Sequence, residues 1–342
     1  MIETALLRWV APAGRRGRLL IFTFHRVLAE PDPLLPDEPD ARFFAQQMDW
    51  VRDYCCVLPL PEAVRRLADG SLPERAACIT FDDGYANNYD VALPILKARN
   101  LPATIFIAVD AVRRGIMWND FAIEALRRAR PDADLSELGL PPGALAGAGA
   151  SRAAAITSAL EHLKYQPPGE RWDRAQELFA RMTGGASPPR LMMTDETVAK
   201  LTREGIDVGA HTVNHPILTA IPAAEARTEI EGSRRWVADV TGVAPKSFAY
   251  PNGRAGRDYD SAHVAMVRDA GFALAVSTDR GCATAATAQY ELPRLAPWDR
   301  TARRFWMRLL QMYGASYAAR QPGVMPAAGA TSAMPPASRS PR

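Results

Sequence analysis

The chain of 342 residues predicts an α/β protein in which helices cover a parallel sheet or barrel. Three observations carry that expectation. Short apolar runs of strand length alternate with segments of helical spacing, the pattern of βα units. The runs are almost wholly apolar rather than alternating, as expected for strands buried on both faces. A composition of 48% hydrophobic and 23% charged residues supplies a large core for a chain of this length.

In order, the expected strands are LLIFTFH (19–25), AACITFDD (76–83), ATIFIAV (103–109), IDVGAHT (206–212), KSFAYP (246–251) and FALAVST (272–278). Helices are expected over 41–54, over 61–70 with Gly70 as a left-handed cap, and over 86–100. Three more follow over 194–205, with Thr194 as N-cap, over 223–242 and over 258–271. Residues 118–193 break the alternation. WNDFAIEALRRAR (118–130) and RWDRAQELFARM (171–182), joined by the loop-like PPGALAGAGA (141–150), read as a helical insertion between barrel strands. Outside the 18–314 unit stand an N-terminal segment, 1–17, and a stretch rich in Ala, Pro, Gly and Ser, 315–342, expected to be a disordered tail.

Composition also excludes function classes. The balance of 41 basic and 38 acidic residues, with no concentrated basic patch, argues against a nucleic-acid partner. Of four cysteines, Cys55 and Cys56 are adjacent and no CxxC spacing occurs, which speaks against a disulfide framework and a cysteine zinc site. No uncharged apolar run approaches the roughly 18 residues of a transmembrane span. The N-terminus lacks a signal-peptide pattern, so a cytoplasmic location is expected. Residues 1–12 read as a short helix, with peripheral attachment to a membrane as the alternative. A soluble enzyme or binding protein remains.

Two segments carry chemistry. In ITFDDGYANNY (79–89) an apolar strand runs into Asp82 and Asp83 and then a glycine turn. One acid can bind a cation while its neighbour stays ionised and acts as a base; the competing reading is a junction whose acids cap the next helix. In VGAHTVNHPIL (208–218), His211 and His215 follow a strand, and Pro216 holds the second in a turn. Two imidazoles and one carboxylate, with a position left open, are a ligand set typical of catalytic zinc. Together the two strand ends favour a metal site over two polar turns. A third strand end, SFAYPNGR (247–254), is ordinary turn chemistry that could present backbone N–H groups. A fourth, LLIFTFHRV (19–27), supplies His25, which taken alone reads as structural more readily than as catalytic.

TFDDG (80–84), HTVNH (211–215) and FAYPNG (248–253), in this order, resemble the polysaccharide deacetylase (NodB-homology) family, carbohydrate esterase family 4, over roughly residues 18–300. The resemblance implies a distorted (β/α) barrel of about seven strands with its site at the C-terminal strand ends. It implies hydrolysis of N-acetyl, less often O-acetyl, groups on an N-acetylated glycan. Carried over by position, Asp82 is the catalytic base. Asp83, His211 and His215 hold Zn²⁺ or another divalent metal ion, and the Asn252 backbone N–H helps hold the oxyanion.

The chain departs from the family pattern twice. Ala249 stands where many members carry an arginine that orients the base, and no histidine follows His263 to serve as the late general acid. Arg294, in ELPRLAPWD (291–299), is the substitute expected for the arginine, and His25, in FHRV (24–27), for the acid. Alternative readings are a deformylase or amidase acting on a small or lipid-linked sugar, and a metal-binding carbohydrate-binding pseudoenzyme.

Overall fold

A computed structural model of the chain describes residues 2–147, 149–164 and 166–315. Its centre is an all-parallel sheet of eight strands: β1 (Leu19–Phe24), β2 (Cys56–Val57), β3 (Ala76–Phe81), β4 (Thr104–Ile107), β5 (Asp207–Ala210), β6 (Ser247–Ala249), β7 (Leu274–Arg280) and β8 (Leu292–Arg294). Seven follow one path, β1-β3-β4-β5-β6-β7-β8, while β2 pairs with β3 off that path. A parallel bridge from Phe22 to Leu295 joins the two ends, so the sheet is a nearly closed, distorted barrel.

Strands β1 and β3 are buried at every residue, which is why both read as unbroken apolar runs. Their side chains divide by parity. Leu19, Ile21, Ala76 and Cys78 join Phe106, Ala249, Val276 and Leu292 in one cluster fed by six strands, the barrel interior. Leu60, Ala63 and Leu67 of the helix Leu60–Asp69 pack into the same cluster and close one end. Leu20, Phe22, Phe24, Ile79 and Phe81 face the outer helices. The interior is tight: a Cβ on Gly209 would lie 2.4 Å from the Phe106 ring.

Helix ends follow local chemistry. Gly70 has φ 74° and closes the helix Leu60–Asp69. Thr194 accepts a hydrogen bond from the Thr197 N–H at 3.2 Å. The helix expected over 86–100 is shorter and uneven, with a π turn over Asn88–Ala92 and an α segment over Leu93–Lys97; Pro94 has no N–H to continue a regular ladder. Elements not expected from the sequence include β2, β8 and helices over Val109–Arg114, Ala150–Lys164 and, covering the sheet, Ala302–Gly314. That helix packs beside the N-terminal helix Ile2–Val10, and Leu7, Ala11, Phe305, Leu309 and Tyr313 share one core. The four cysteines are free, and burial raises the thiols of Cys55 and Cys282 to pKa values of about 12, which leaves them unreactive.

The segment 118–193 has a core of its own. Helices Trp118–Arg128, Ala150–Lys164 and Pro168–Thr183 enclose Phe121, Leu126, Ile156, Leu163, Leu178 and Phe179. It is tied to the barrel mouth by hydrogen bonds from the Met193 N–H to the Gly84 carbonyl and from the Ala86 N–H to the Leu191 carbonyl. Among the described residues no helix is long and apolar enough to cross a membrane. The tail expected over 315–342 lies, from residue 316 on, outside the described residues.

Candidate active site

Strand parity already directs side chains to one place. Asp82 continues the interior-facing series 76, 78, 80 one step past β3, and His211 does the same one step past β5. Arg294 is the last residue of β8. All three are buried at the C-terminal mouth of the barrel.

Arg294 grips Asp82 with both guanidinium nitrogens, each 2.7 Å from one carboxylate oxygen. Its Nε donates to the Ser277 carbonyl at 2.8 Å, so β7 sets the angle of the fork. Burial acts to raise the Asp82 pKa. The positive charge of Arg294, with smaller help from His211 and His25, outweighs it and holds the carboxyl well below the usual range. Arg294 thus reaches the Asp82 carboxylate from the far end of the sheet path.

Asp83 turns the other way. Its φ of 75° lies in the left-handed region, which reverses the chain after Asp82 and aims the second carboxylate at the histidines. Asp83 Oδ1 is 3.6 Å from Nε2 of His211 and 3.6 Å from Nε2 of His215, and these two nitrogens are 3.2 Å apart. His211 Nδ1 lies 2.7 Å from the Ala249 carbonyl. A carbonyl only accepts, so Nδ1 carries the proton and Nε2 offers its lone pair to the site.

The turn carrying His215 is built by one acid. Glu229, on the helix Ala223–Thr241, accepts from the N–H groups of Val213 and Asn214 at 2.8 and 2.7 Å and from the Asn214 amide at 2.7 Å. Thr212, with φ 65°, accepts the His215 N–H on its hydroxyl at 3.1 Å. Burial, aided by the neighbouring His211 and by the charge of Arg171, lowers the His215 pKa well below the ordinary histidine value, leaving a neutral imidazole.

Three facing donor atoms 3.2–3.6 Å apart have the spacing of ligands set at about 2.0–2.2 Å around a tetrahedral ion. Asp83 Oδ1 is buried without a hydrogen-bond donor, and burial raises the Asp83 pKa. A buried carboxylate oxygen that lacks a donor and faces two imidazole nitrogens is costly unless a cation sits between them. Asp83, His211 and His215 therefore fit a divalent ion.

The other two residues expected at the site make no hydrogen bond or ion pair with Asp82, Asp83, His211, His215 or Arg294 among the described residues. His25 is exposed at the mouth. The protein around it disfavours its charged form, but the charges of Asp83, Asp82 and Glu38 outweigh this and raise its pKa, with Arg294 opposing. Asn252 has φ 59° in the turn after β6, and its N–H has no acceptor among the described residues. Sequence reasoning missed Glu38 and Glu229. Glu229 had a signal, since it shares the buried helix face of Ala226, Ile230 and Ser233. Glu38 sits in a loop with no periodicity to mark it.

Comparison with known proteins agrees with this geometry. The sequence model of the polysaccharide deacetylase family matches residues 69–135 and 159–275, more than half of the chain; the gap between the two matched parts falls inside the helical segment, and the match includes neither His25 nor Arg294. YxkH of Bacillus subtilis (strain 168), which carries the polysaccharide deacetylase name provisionally, is 19% identical over 281 residues, covering 82% of this chain and 71% of that protein. The poly-β-1,6-N-acetyl-D-glucosamine N-deacetylase of Staphylococcus epidermidis is 33% identical over 70 residues, 20% of this chain and 24% of that one. Among solved structures, the Streptococcus pyogenes deacetylase PplD, in complex with acetate, superposes with a TM-score of 0.57 at 18% identity, covering 87% of this chain and 99% of that one. IcaB from Ammonifex degensii gives 0.54 at 18% identity, covering 89% and 99%. These two share the fold. This chain belongs to the polysaccharide deacetylase family, hydrolases that act on non-peptide carbon–nitrogen bonds in removing acetyl groups from glycans.

Proposed function

We propose that the chain hydrolyses the acetamide of an N-acetylated sugar with Asp82 as general base and a divalent ion, Zn²⁺ or a similar metal, held by Asp83, His211 and His215. The observation that carries this reading is the pairing of two adjacent acids in opposite roles. One is neutralised by a buried arginine; the other faces two neutral imidazoles with no donor of its own. When bound, such an ion polarises the acyl oxygen and lowers the pKa of a water towards about 7.

The protein's own groups do the rest. Arg294 keeps Asp82 ionised beside a second carboxylate, and its fork fixes the carboxylate plane. Each Asp82 oxygen retains a lone pair, and Asp82 takes the proton of the attacking water. The Asn252 N–H donates to the acyl oxygen as charge develops there, a contribution of several kcal/mol in comparable sites. His25, whose pKa is raised by the acids around it, carries the proton that the departing amine needs. The products are acetate and a free amino sugar. The helical segment 118–193 forms a wall of the mouth and contributes to substrate choice.

The test is Asp82→Asn. Turnover on N-acetylglucosamine oligomers should fall by about 10²–10⁴-fold while bound metal stays at the wild-type level. Retained acetate release would remove Asp82 from the role of base.

A further inference from the structure

A cavity of about 420 Å³ opens between the helical segment and the barrel, and His215 stands in its wall. It therefore adjoins the proposed reaction centre without being part of the acid–base machinery. Trp118, Arg171 and Trp172 line it from the helical side, and Arg114 and Asn214 from the barrel side.

Its charges are unequal in how they are spent. Asp110 holds Arg114 at 2.8 Å, and the Arg114 guanidinium lies over the Trp172 ring at 4.5 Å. Glu229 is committed to the Val213–Asn214 turn. Asp173 and Glu225 reach solvent, where screening weakens them. Arg171 is different. It is 3% exposed, donates to the Lys164 carbonyl at 3.1 Å and stacks over Trp118 at 4.5 Å, yet no carboxylate among the described residues pairs with it. Its Nε has no acceptor, and neither does the buried indole N–H of Trp172 on the next residue. A buried guanidinium without a counter-anion is costly. The indoles of Trp118 and Trp172, each with an arginine over one face, line the cavity where a sugar ring would sit, and the Arg171 guanidinium, with its Nε unspent, suits an anion carried on that ring.

We propose that this cavity is a subsite for an acidic substituent, a carboxylate or a phosphoester, on the acetylated glycan, and that Arg171 is the residue that reads it. The proposal rests on the deacetylase reading above and adds to it a substrate class, acidic rather than neutral acetylated sugars.

The experiment uses the full metal-loaded chain and three N-acetylglucosamine oligomers: unmodified, bearing a 3-O-lactyl carboxylate, and bearing a 6-phosphate. Acetate release should favour one charged oligomer over the neutral one by about tenfold in kcat/KM, chiefly through KM, because one charge-assisted contact is gained. Which charged oligomer wins distinguishes carboxylate from phosphoester. In Arg171→Gln the ratio should collapse towards one, and Arg171→Lys should restore part of it. Tryptophan fluorescence reports binding of the same oligomers without turnover and should show the same ranking. Equal binding and equal kcat/KM for charged and neutral oligomers in the wild type, or a preference that survives Arg171→Gln, would overturn the inference. Charged oligomers that bind preferentially but are not hydrolysed, with the neutral one also inert, would overturn the deacetylase reading and leave Arg171 its anion.

Discussion

The barrel mouth and the helical segment beside it hold charge in opposite ways. At the mouth, the buried ionisable groups have an assigned partner or an evident need for one. Asp82 is locked by Arg294, the His211 proton is set by Ala249, and Glu229 ties down the His215 turn. These groups sit at or just beyond the ends of parallel strands whose positions the sheet determines. In the helical segment, buried Arg171 and half-buried Trp172 each keep a donor unspent. The difference teaches how the proposed division of labour would be built, with chemistry on the rigid strand ends and substrate choice on helices outside the barrel.

The comparison breaks most completely at the metal ligands. His211→Ala should lose the ion and, with it, nearly all acetate release, a fall of at least about 10³-fold, checked by metal analysis and rate on one preparation. Arg294→Met attacks the same end through its support. It leaves Asp82 buried and unpaired, so the chain should lose about 3–5 kcal/mol of stability in a denaturant titration, with turnover falling too. Phe121→Ala tests the other side. Phe121 packs edge-on against Phe179 and Trp172, each at 5.5 Å. Its loss should cost about 3–5 kcal/mol in the helical core, while metal stays at one ion per chain. Metal lost in step with Phe121 would show that the two regions are not separable in this way.

The smallest effect lies on the seam between them. Asp120 is buried, accepts from the Tyr85 hydroxyl at 3.1 Å and pairs with Arg26 at 3.3 Å. Burial, only partly offset by Arg26, raises its pKa to about 6. In that case the folded chain holds a proton that the unfolded chain has released, and stability falls as pH rises from about 4 through about 6. Asp120→Asn should remove this slope. Its stability difference from wild type should change by on the order of 2–3 kcal/mol across that window and then level off.

How much of this could be read from residues alone follows from the physics of each element. Strands β1 and β3 are buried on both faces, so their apolar runs mark them without ambiguity. Strand β8 has three residues, one of them Pro293, between Glu291 and Pro297, and no periodicity distinguishes it from a loop. The helix Ala302–Gly314 carries its signal in Phe305, Leu309, Met312 and Tyr313 at helical spacing. Asp82, Asp83, His211 and His215 were legible because they cluster in two short motifs. The bidentate grip of Arg294 was foreseen only as a substitution, since 212 residues separate the partners and barrel closure brings them together. The cavity beside His215 was not legible at all, because it depends on how the helical segment docks.

The most direct test of the central claim is a count of metal ions per chain, made together with acetate release from N-acetylglucosamine oligomers before and after chelation. The account predicts close to one ion per chain, loss of release when the ion is stripped, and recovery when a divalent ion is returned. A chain that binds no divalent ion, or that releases acetate equally well without one, would contradict it.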